Sequence, residues 1–121
     1  MKTILIVDDE KHILKVLEFS LAESGCAIET ASSGAEALRK AASHTIDLLL
    51  IDYQMPGMNG FETVHELKNN EKYAELPVIM LTGRGQSEIR AEAETTGVSL
   101  FLNKPFSPTE LLRHARRLIA Q

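Results

Sequence analysis

The sequence has no tryptophan, one cysteine, two tyrosines and four phenylalanines. Cys26 has no partner in the chain, which excludes an internal disulfide and leaves a zinc centre without a thiolate set. Cysteine usage of this kind fits a reducing cytosol. Cys26 lies in SGCAIET at the start of an expected strand, where a small buried residue is its simplest role. No apolar run approaches the roughly 20 residues of a membrane span. The opening MKTILIV carries one lysine, but its short apolar run meets Asp8 and does not make a signal peptide. Basic charge is also in short supply, with 13 Lys and Arg against 17 Asp and Glu and a net charge of −4. A mildly acidic domain is a poor general binder of nucleic acid or of anionic membrane. Four histidines, His12, His44, His65 and His114, show no zinc spacing and read as surface residues.

What the sequence does have is a regular alternation. Its 121 residues, 44% apolar, suit one domain over residues 1–121 with a single core. TILIV (Thr3–Val7) reads as a strand and is followed by a helix from Lys11 to Ser24 that Gly25 ends. Ile13, Val16, Leu17 and Leu21 mark the expected buried stripe of that helix. AIETA (Ala27–Ala31) reads as an edge strand, and Ser33 with Glu36 forms a capping box before a helix to Ser43. IDLLLI (Ile46–Ile51) does not alternate, as expected of a strand covered on both faces. Asn59 and Glu62 cap a short amphipathic helix, PVIML (Pro77–Leu81) is a fourth strand, and a weaker helix runs from Ser87 to Thr96. SLFLN (Ser99–Asn103) is the fifth strand. SPTE (Ser107–Glu110) then caps a last helix that buries Leu111, Leu112, Ala115, Leu118 and Ile119. Five such β-α units predict a parallel sheet with helices on both faces. In these sheets function sits at the carboxyl ends of the strands, where strand order reverses.

Those ends carry the chemistry. Asp8, Asp9 and Glu10 follow the first strand, Asp52 the third, Thr82 and Gly83 the fourth, and Lys104 and Pro105 the fifth. If the first and third strands are neighbours, three carboxylates crowd one pocket and repel, so a cation must compensate. Lys104 supplies one charge and a divalent metal would supply two. Carboxylate oxygens without His or Cys select a hard cation, and few protein ligands favour Mg²⁺ over a full Ca²⁺ cage. Metal, ammonium and hydroxyl together match the three equatorial oxygens of a transferring phosphoryl group. Asp52, alone at the end of the most apolar strand, is the candidate nucleophile and would form an acyl phosphate. Each signal alone is bland, since an Asp after a strand usually only starts a turn. Their coincidence at four strand ends of one sheet gives them weight. Glu10 reads equally well as a helix cap.

With VDDE (7–10), IDYQMPGMNG (51–60), MLTG (80–83) and LNKPFSP (102–108) in this order, the whole chain resembles the receiver domain of two-component response regulators. The resemblance implies a flavodoxin-like (βα)5 fold whose five-stranded parallel sheet has order 2-1-3-4-5. It implies that Asp52 is the phosphoacceptor, Asp9 a direct Mg²⁺ ligand, Asp8 an acid acting largely through water, and the Gln54 backbone carbonyl a third protein ligand. Lys104 would bridge to the phosphoryl group, Thr82 would swing in to bond it, and Phe101 would be the switch aromatic. Gly83 matches the small residue that keeps the pocket open, and the Lys104–Pro105 bond would be cis. The implied donor is the phosphohistidine of a sensor histidine kinase or His-phosphotransfer protein. The implied output is a changed surface of fourth helix, fifth strand and fifth helix, read by a downstream protein target. The protein would catalyse only its own phosphorylation and dephosphorylation. Gln54 and Arg84 flank the hydrolytic route and would set the phosphoryl lifetime, though Arg84 reads equally as a solvated loop charge.

Departures from the family bear on assembly. Ser99 and Leu100 stand where the winged-helix class carries acids that support its dimer, so a monomer or a weak phosphorylation-dependent dimer is expected. The sequence reads as a stand-alone cytoplasmic receiver or as a domain cut from a longer regulator or hybrid kinase. Leu14 and Phe19 fall off the expected stripe of the first helix as candidate partner contacts, with packing under a loop the equal reading for Phe19. An aspartyl-phosphate phosphohydrolase is the rival enzyme, but Gln54 occupies the place of its required second Asp. A flavodoxin-like electron carrier would need a phosphate loop where this chain has DDEKH.

Overall fold

Strands that are apolar at every position need cover on both faces, and the chain supplies it by alternating strands with helices. The computed structural model describes residues 1–83 and 97–120; Arg84 and the helix expected over 87–96 lie outside the described residues. In chain order the described elements are β1 (Thr3–Val7), α1 (Lys11–Leu21), β2 (Ala27–Ala31), α2 (Gly34–Ser43), β3 (Leu48–Asp52), α3 (Gly60–Lys68), β4 (Val78–Thr82), β5 (Leu100–Asn103) and α4 (Pro108–Ile119). All strand pairs are parallel and the sheet order is β2-β1-β3-β4-β5, as expected. The chain leaves β1 toward one edge and returns to build the other. The reversal therefore falls between β1 and β3.

Two cores flank the sheet. Leu5, Val7, Leu49, Ile51, Val78 and Met80 point to the face covered by α2 and α3, through Ala37, Ala41, Phe61, Val64 and Leu67. Ile4, Ile6, Leu48, Leu50, Ile79 and Leu81 point to the face covered by α1 and α4, through Leu14, Leu17, Leu21, Leu111, Ala115 and Leu118. β3 and β4 are buried at all five positions each. β2 and β5, at the edges, are mostly half-buried.

Two expectations for α1 are corrected. Its buried stripe is Leu14, Leu17 and Leu21, while Val16 is exposed. The phases share Leu17 and Leu21, and the i, i+3, i+7 spacing from Leu14 places the apolar seam on the sheet. Leu14 is therefore core and not a partner contact, whereas Phe19 is 85% exposed. In α4, Leu111, Ala115 and Leu118 are buried and Leu112 and Ile119 pack at the margin. β3 starts at Leu48 and not at Ile46 because Asp47 sits at the sheet entrance. Its N–H donates to the Thr3 carbonyl at 2.8 Å and its carboxylate accepts from the Thr3 N–H at 2.8 Å.

Caps set the helix starts. Asn59 and Glu62 form a reciprocal capping box, each bond 2.9 Å. Ser33 accepts from Glu36 N–H at 3.1 Å, but the Glu36 carboxylate returns to Ser32 N–H, one residue earlier than expected. Ser107 accepts from Glu110 N–H with Pro108 in the first turn. Gly25 closes the turn after α1 at φ 79°, the left-handed region.

The start of α3 is pressed against the end of β3. Gly60 N–H donates to the Tyr53 carbonyl at 2.8 Å. A Cβ on Gly60 would lie 2.8 Å from the Asp52 carbonyl oxygen and 2.9 Å from Tyr53 Cα, both rigid backbone. Gly60→Ala is accordingly expected to destabilise the domain by roughly 1–3 kcal/mol, as overpacking does. Urea unfolding checks this, and an unchanged midpoint would contradict it.

Candidate functional site

Strand parity assembles the site. Side chains alternate faces along a strand. Ile4 and Ile6 lead to Asp8, Leu48 and Leu50 to Asp52, and Leu100 and Leu102 to Lys104, all on the α1/α4 side. The opposite parity carries Met80 on to Thr82 and Phe101 on to Asn103, on the α2/α3 side. Charged groups thus gather over one face of the strand ends, and the hydroxyl and the aromatic over the other.

At the reversal point, Lys104 Nζ lies 3.1 Å from Asp52 Oδ1 and 3.6 Å from Asp8 Oδ2. Asp8 is fully buried and Asp52 is 5% exposed, while Asp9 is exposed. Asp8 Oδ1 accepts from Glu10 N–H at 2.9 Å, but its Oδ2 is buried without a hydrogen-bond partner among the described residues. The Gln54 backbone N–H is near enough to Asp52 to lower its carboxyl, the smallest of the influences on it. The Gln54 side chain is exposed. Glu10 occupies the N-cap position of α1 without a side-chain cap bond, and its carboxylate pairs with His12 at 3.4 Å.

The electrostatics are strained in one direction. Burial pushes the carboxyls of Asp8 and Asp52 above their ordinary value. The charge of Asp8 raises Asp52 further, and those of Asp9 and Glu10 raise Asp8; the Glu10 N–H on Asp8, and Lys104 on both, only partly offset this. Burial pushes the Lys104 ammonium down, but the charges and hydrogen bonds of Asp52 and Asp8 outweigh it, so Lys104 is raised overall. One cation cannot satisfy two buried carboxylates and a third at the rim.

A metal fits this donor set. Asp8, Asp9 and Asp52 each offer a carboxylate oxygen, all within 4.8 Å of one another. Asp8 Oδ2, buried and with only the Lys104 ammonium at 3.6 Å beside it among the described residues, leaves room for a further cationic partner. Donors made only of oxygen suit a hard divalent cation. Among the described residues no histidine joins this or any comparable cluster.

The other expected residues stand around it. Thr82 is buried at the end of β4, and its Oγ1 donates to Asn103 Oδ1 at 3.1 Å. The next backbone bond, Lys104 N–H to the Thr82 carbonyl at 2.8 Å, ties Lys104 to the same strand end. Phe101 is half-buried and meets Phe61 edge-on at 6.4 Å, and Phe61 meets Tyr53 at 5.3 Å. An aromatic row therefore runs from the residue after Asp52 to β5. The Lys104–Pro105 bond is cis, as the resemblance implied. Sequence reading missed the Asn103 contact and the Phe61 link. Both follow from parity, since Asn103 stands opposite Thr82 in register and Phe101 opposite Met80.

The raised carboxyls fix a sign for pH. A folded-state value above the unfolded one gives a stability contribution that is present below the unfolded value, 3.8 for Asp, and is lost as pH rises through the folded value. At neutral pH the two raised carboxyls therefore weaken the metal-free fold. Asp52→Asn should melt higher than the parent at about pH 7.5 without metal, and the gap should shrink toward about pH 4. Calorimetry across that range checks it; an Asn variant less stable at neutral pH would overturn the sign.

Comparison with known proteins agrees with this geometry. The family described as the response regulator receiver domain matches residues 4–116. The transcriptional regulatory protein ResD of Bacillus subtilis is 37% identical over 116 residues, covering 96% of this chain and 47% of ResD. Protein PilG of Pseudomonas aeruginosa is 35% identical over 109 residues, covering 90% of this chain and 81% of PilG. The chain spans about half the length of ResD and of the other transcriptional regulators among these relatives. The solved chemotaxis protein CheY4 of Vibrio cholerae superposes with a TM-score of 0.92 at 36% identity, covering 98% of each chain. Motifs, sheet order, acidic pocket and family match coincide, and the chain belongs to the response regulator receiver domain family.

Proposed function

We propose that this receiver is a phosphorylation switch in which Asp52 is the phosphoacceptor and the donor is a phosphohistidine on a sensor histidine kinase or a His-phosphotransfer protein. The observation that carries the reading is the under-neutralised pocket: two buried carboxylates share one ammonium, and the buried Asp8 Oδ2 accepts no hydrogen bond among the described residues. Such a pocket gains from a ligand that adds positive charge, and with that charge in place Lys104 and Thr82 are free to bind phosphoryl oxygens.

The steps follow from the residues. The Asp52 carboxylate attacks phosphorus, the new O–P bond forms as the P–N bond to imidazole breaks, and the imidazole leaves with the electron pair. The fully buried β3 holds the nucleophile still, which is the positional part of catalysis. Lys104 exchanges its contact with the carboxylate for one with a phosphoryl oxygen, and Thr82 donates its hydroxyl to another. Asp8, Asp9, Asp52 and the Gln54 carbonyl would hold Mg²⁺, which when bound neutralises developing charge on the phosphoryl oxygens. On this reading, hydrolysis later returns Asp52 to the carboxylate and releases phosphate, and Gln54 and Arg84 set that lifetime.

The output follows from parity. Asp52 and Thr82 lie on opposite faces of the sheet ends, so a Thr82 that turns toward Asp52 vacates space on the Phe101 side. Phe101 fills it and changes the surface of β5 and the last helix. That surface is read by a downstream protein, a local charge event biasing a two-state element.

Two measurements test this. With acetyl phosphate and Mg²⁺, intact mass should rise by one phosphoryl group in the parent and not in Asp52→Ala; a folded parent that gains nothing overturns the reading. Mg²⁺ alone should raise the melting temperature, with stabilisation of roughly 2.7 kcal/mol at one hundred times its dissociation constant. Asp9→Asn should lose most of that gain, and an equal gain in both proteins would contradict the assigned ligand set.

A further inference from the structure

Thr82 has a hydroxyl that the fold buries, and a buried hydroxyl needs a partner at all times. Its partner among the described residues is the side-chain carbonyl of Asn103, 3.1 Å away. Asn103 is exposed, lies directly opposite Thr82 in the β4–β5 register, shares the face of Phe101 and immediately precedes Lys104. The two ends of this bond differ in what they lose when it breaks. The Asn103 amide turns to water at little cost, whereas the Thr82 hydroxyl must find another acceptor.

We propose that Asn103 is a positioning residue that holds the Thr82 hydroxyl in its resting place and so sets how readily Thr82 transfers to a phosphoryl group on Asp52. This rests on the phosphoacceptor reading above. In the resting protein the hydroxyl is satisfied on the Phe101 face. A phosphoryl oxygen on Asp52 competes for it, and the strand-end bond is the part of the resting state that must be given up. Ligands that need the switched state bind with an affinity reduced by the fraction of molecules already in it. Deleting the Asn103 acceptor leaves Thr82 without its resting partner, raises that fraction and tightens such ligands. An Asn103 that merely stitched two strand ends would act on stability and leave this competition alone.

The experiment uses beryllofluoride, a tetrahedral phosphoryl mimic, with Mg²⁺, titrated into five proteins by calorimetry. Asn103→Val keeps strand propensity and removes the acceptor; its affinity should rise by roughly 2- to 10-fold, the worth of one ordinary hydrogen bond. Asn103→Thr restores an acceptor across the strands and should return toward the parent. In a Thr82→Val background there is no hydroxyl to hold, so adding Asn103→Val should change nothing, a double-mutant cycle that isolates the pair. Unchanged or weaker binding by Asn103→Val overturns the proposal, and so does the same gain persisting in the Thr82→Val background. Failure of the folded parent itself to bind beryllofluoride overturns instead the phosphoacceptor reading beneath it.

Discussion

The geometry of this domain is organised around a shared counter-ion: the Lys104 ammonium stands between the carboxylates of Asp52 and Asp8, and no strand supplies a second. Isolated carboxylates at such burial would simply take up protons. Here Lys104 and the backbone N–H groups of Glu10 and Gln54 pull the two carboxyls down without cancelling the effect of burial. The rest of the chain keeps these groups from drifting apart. β3 is buried at every position, α3 starts in contact with its last residues through Gly60, and the Asn59–Glu62 capping box fixes where α3 begins. The loop between Asp52 and Gly60 is therefore pinned at both ends by backbone contact.

The sheet also works as a partition. Alternation along each strand sends the acids and the lysine to the α1/α4 side and the threonine, asparagine and phenylalanine to the other. A chemical change on one side reaches the other only where the strands run out and a side chain can turn over the edge. Thr82 stands at that place, with its backbone carbonyl held by Lys104 and its hydroxyl held by Asn103. The Tyr53–Phe61–Phe101 row gives the second side a packed path from β3 to β5, so displacement at Phe101 meets a dense neighbour.

Much of this was legible before any coordinates. The non-alternating runs gave β1, β3 and β4 because doubly buried strands must be apolar throughout. The cap signals at Ser33, Asn59 and Ser107 gave three helix starts because few residue types can accept from those first N–H groups. The site was legible because its residues follow the strands directly. What failed to show was phase and partnership. Leu14 and Val16 are equally apolar, and only docking on the sheet decides which one turns inward. Asn103 stood inside the LNKPFSP motif as the last residue of the fifth strand, with no role of its own, since a cross-strand bond has no signature along the chain. The Glu36 carboxylate found Ser32 and not Ser33 because a flexible side chain chooses between adjacent N–H groups by local geometry.

The buried Asp8 oxygen that accepts no hydrogen bond among the described residues also bears on how such a chain changes over generations. On the proposed reading, substitutions that fill or neutralise that spot would tighten the bare fold and silence the switch. A lineage screened only for folding drifts toward mute receivers, whereas one screened for signalling retains a pocket that is permanently short of positive charge. The imbalance is thus an inherited mark of use, readable from the folded chain without observing a single turnover.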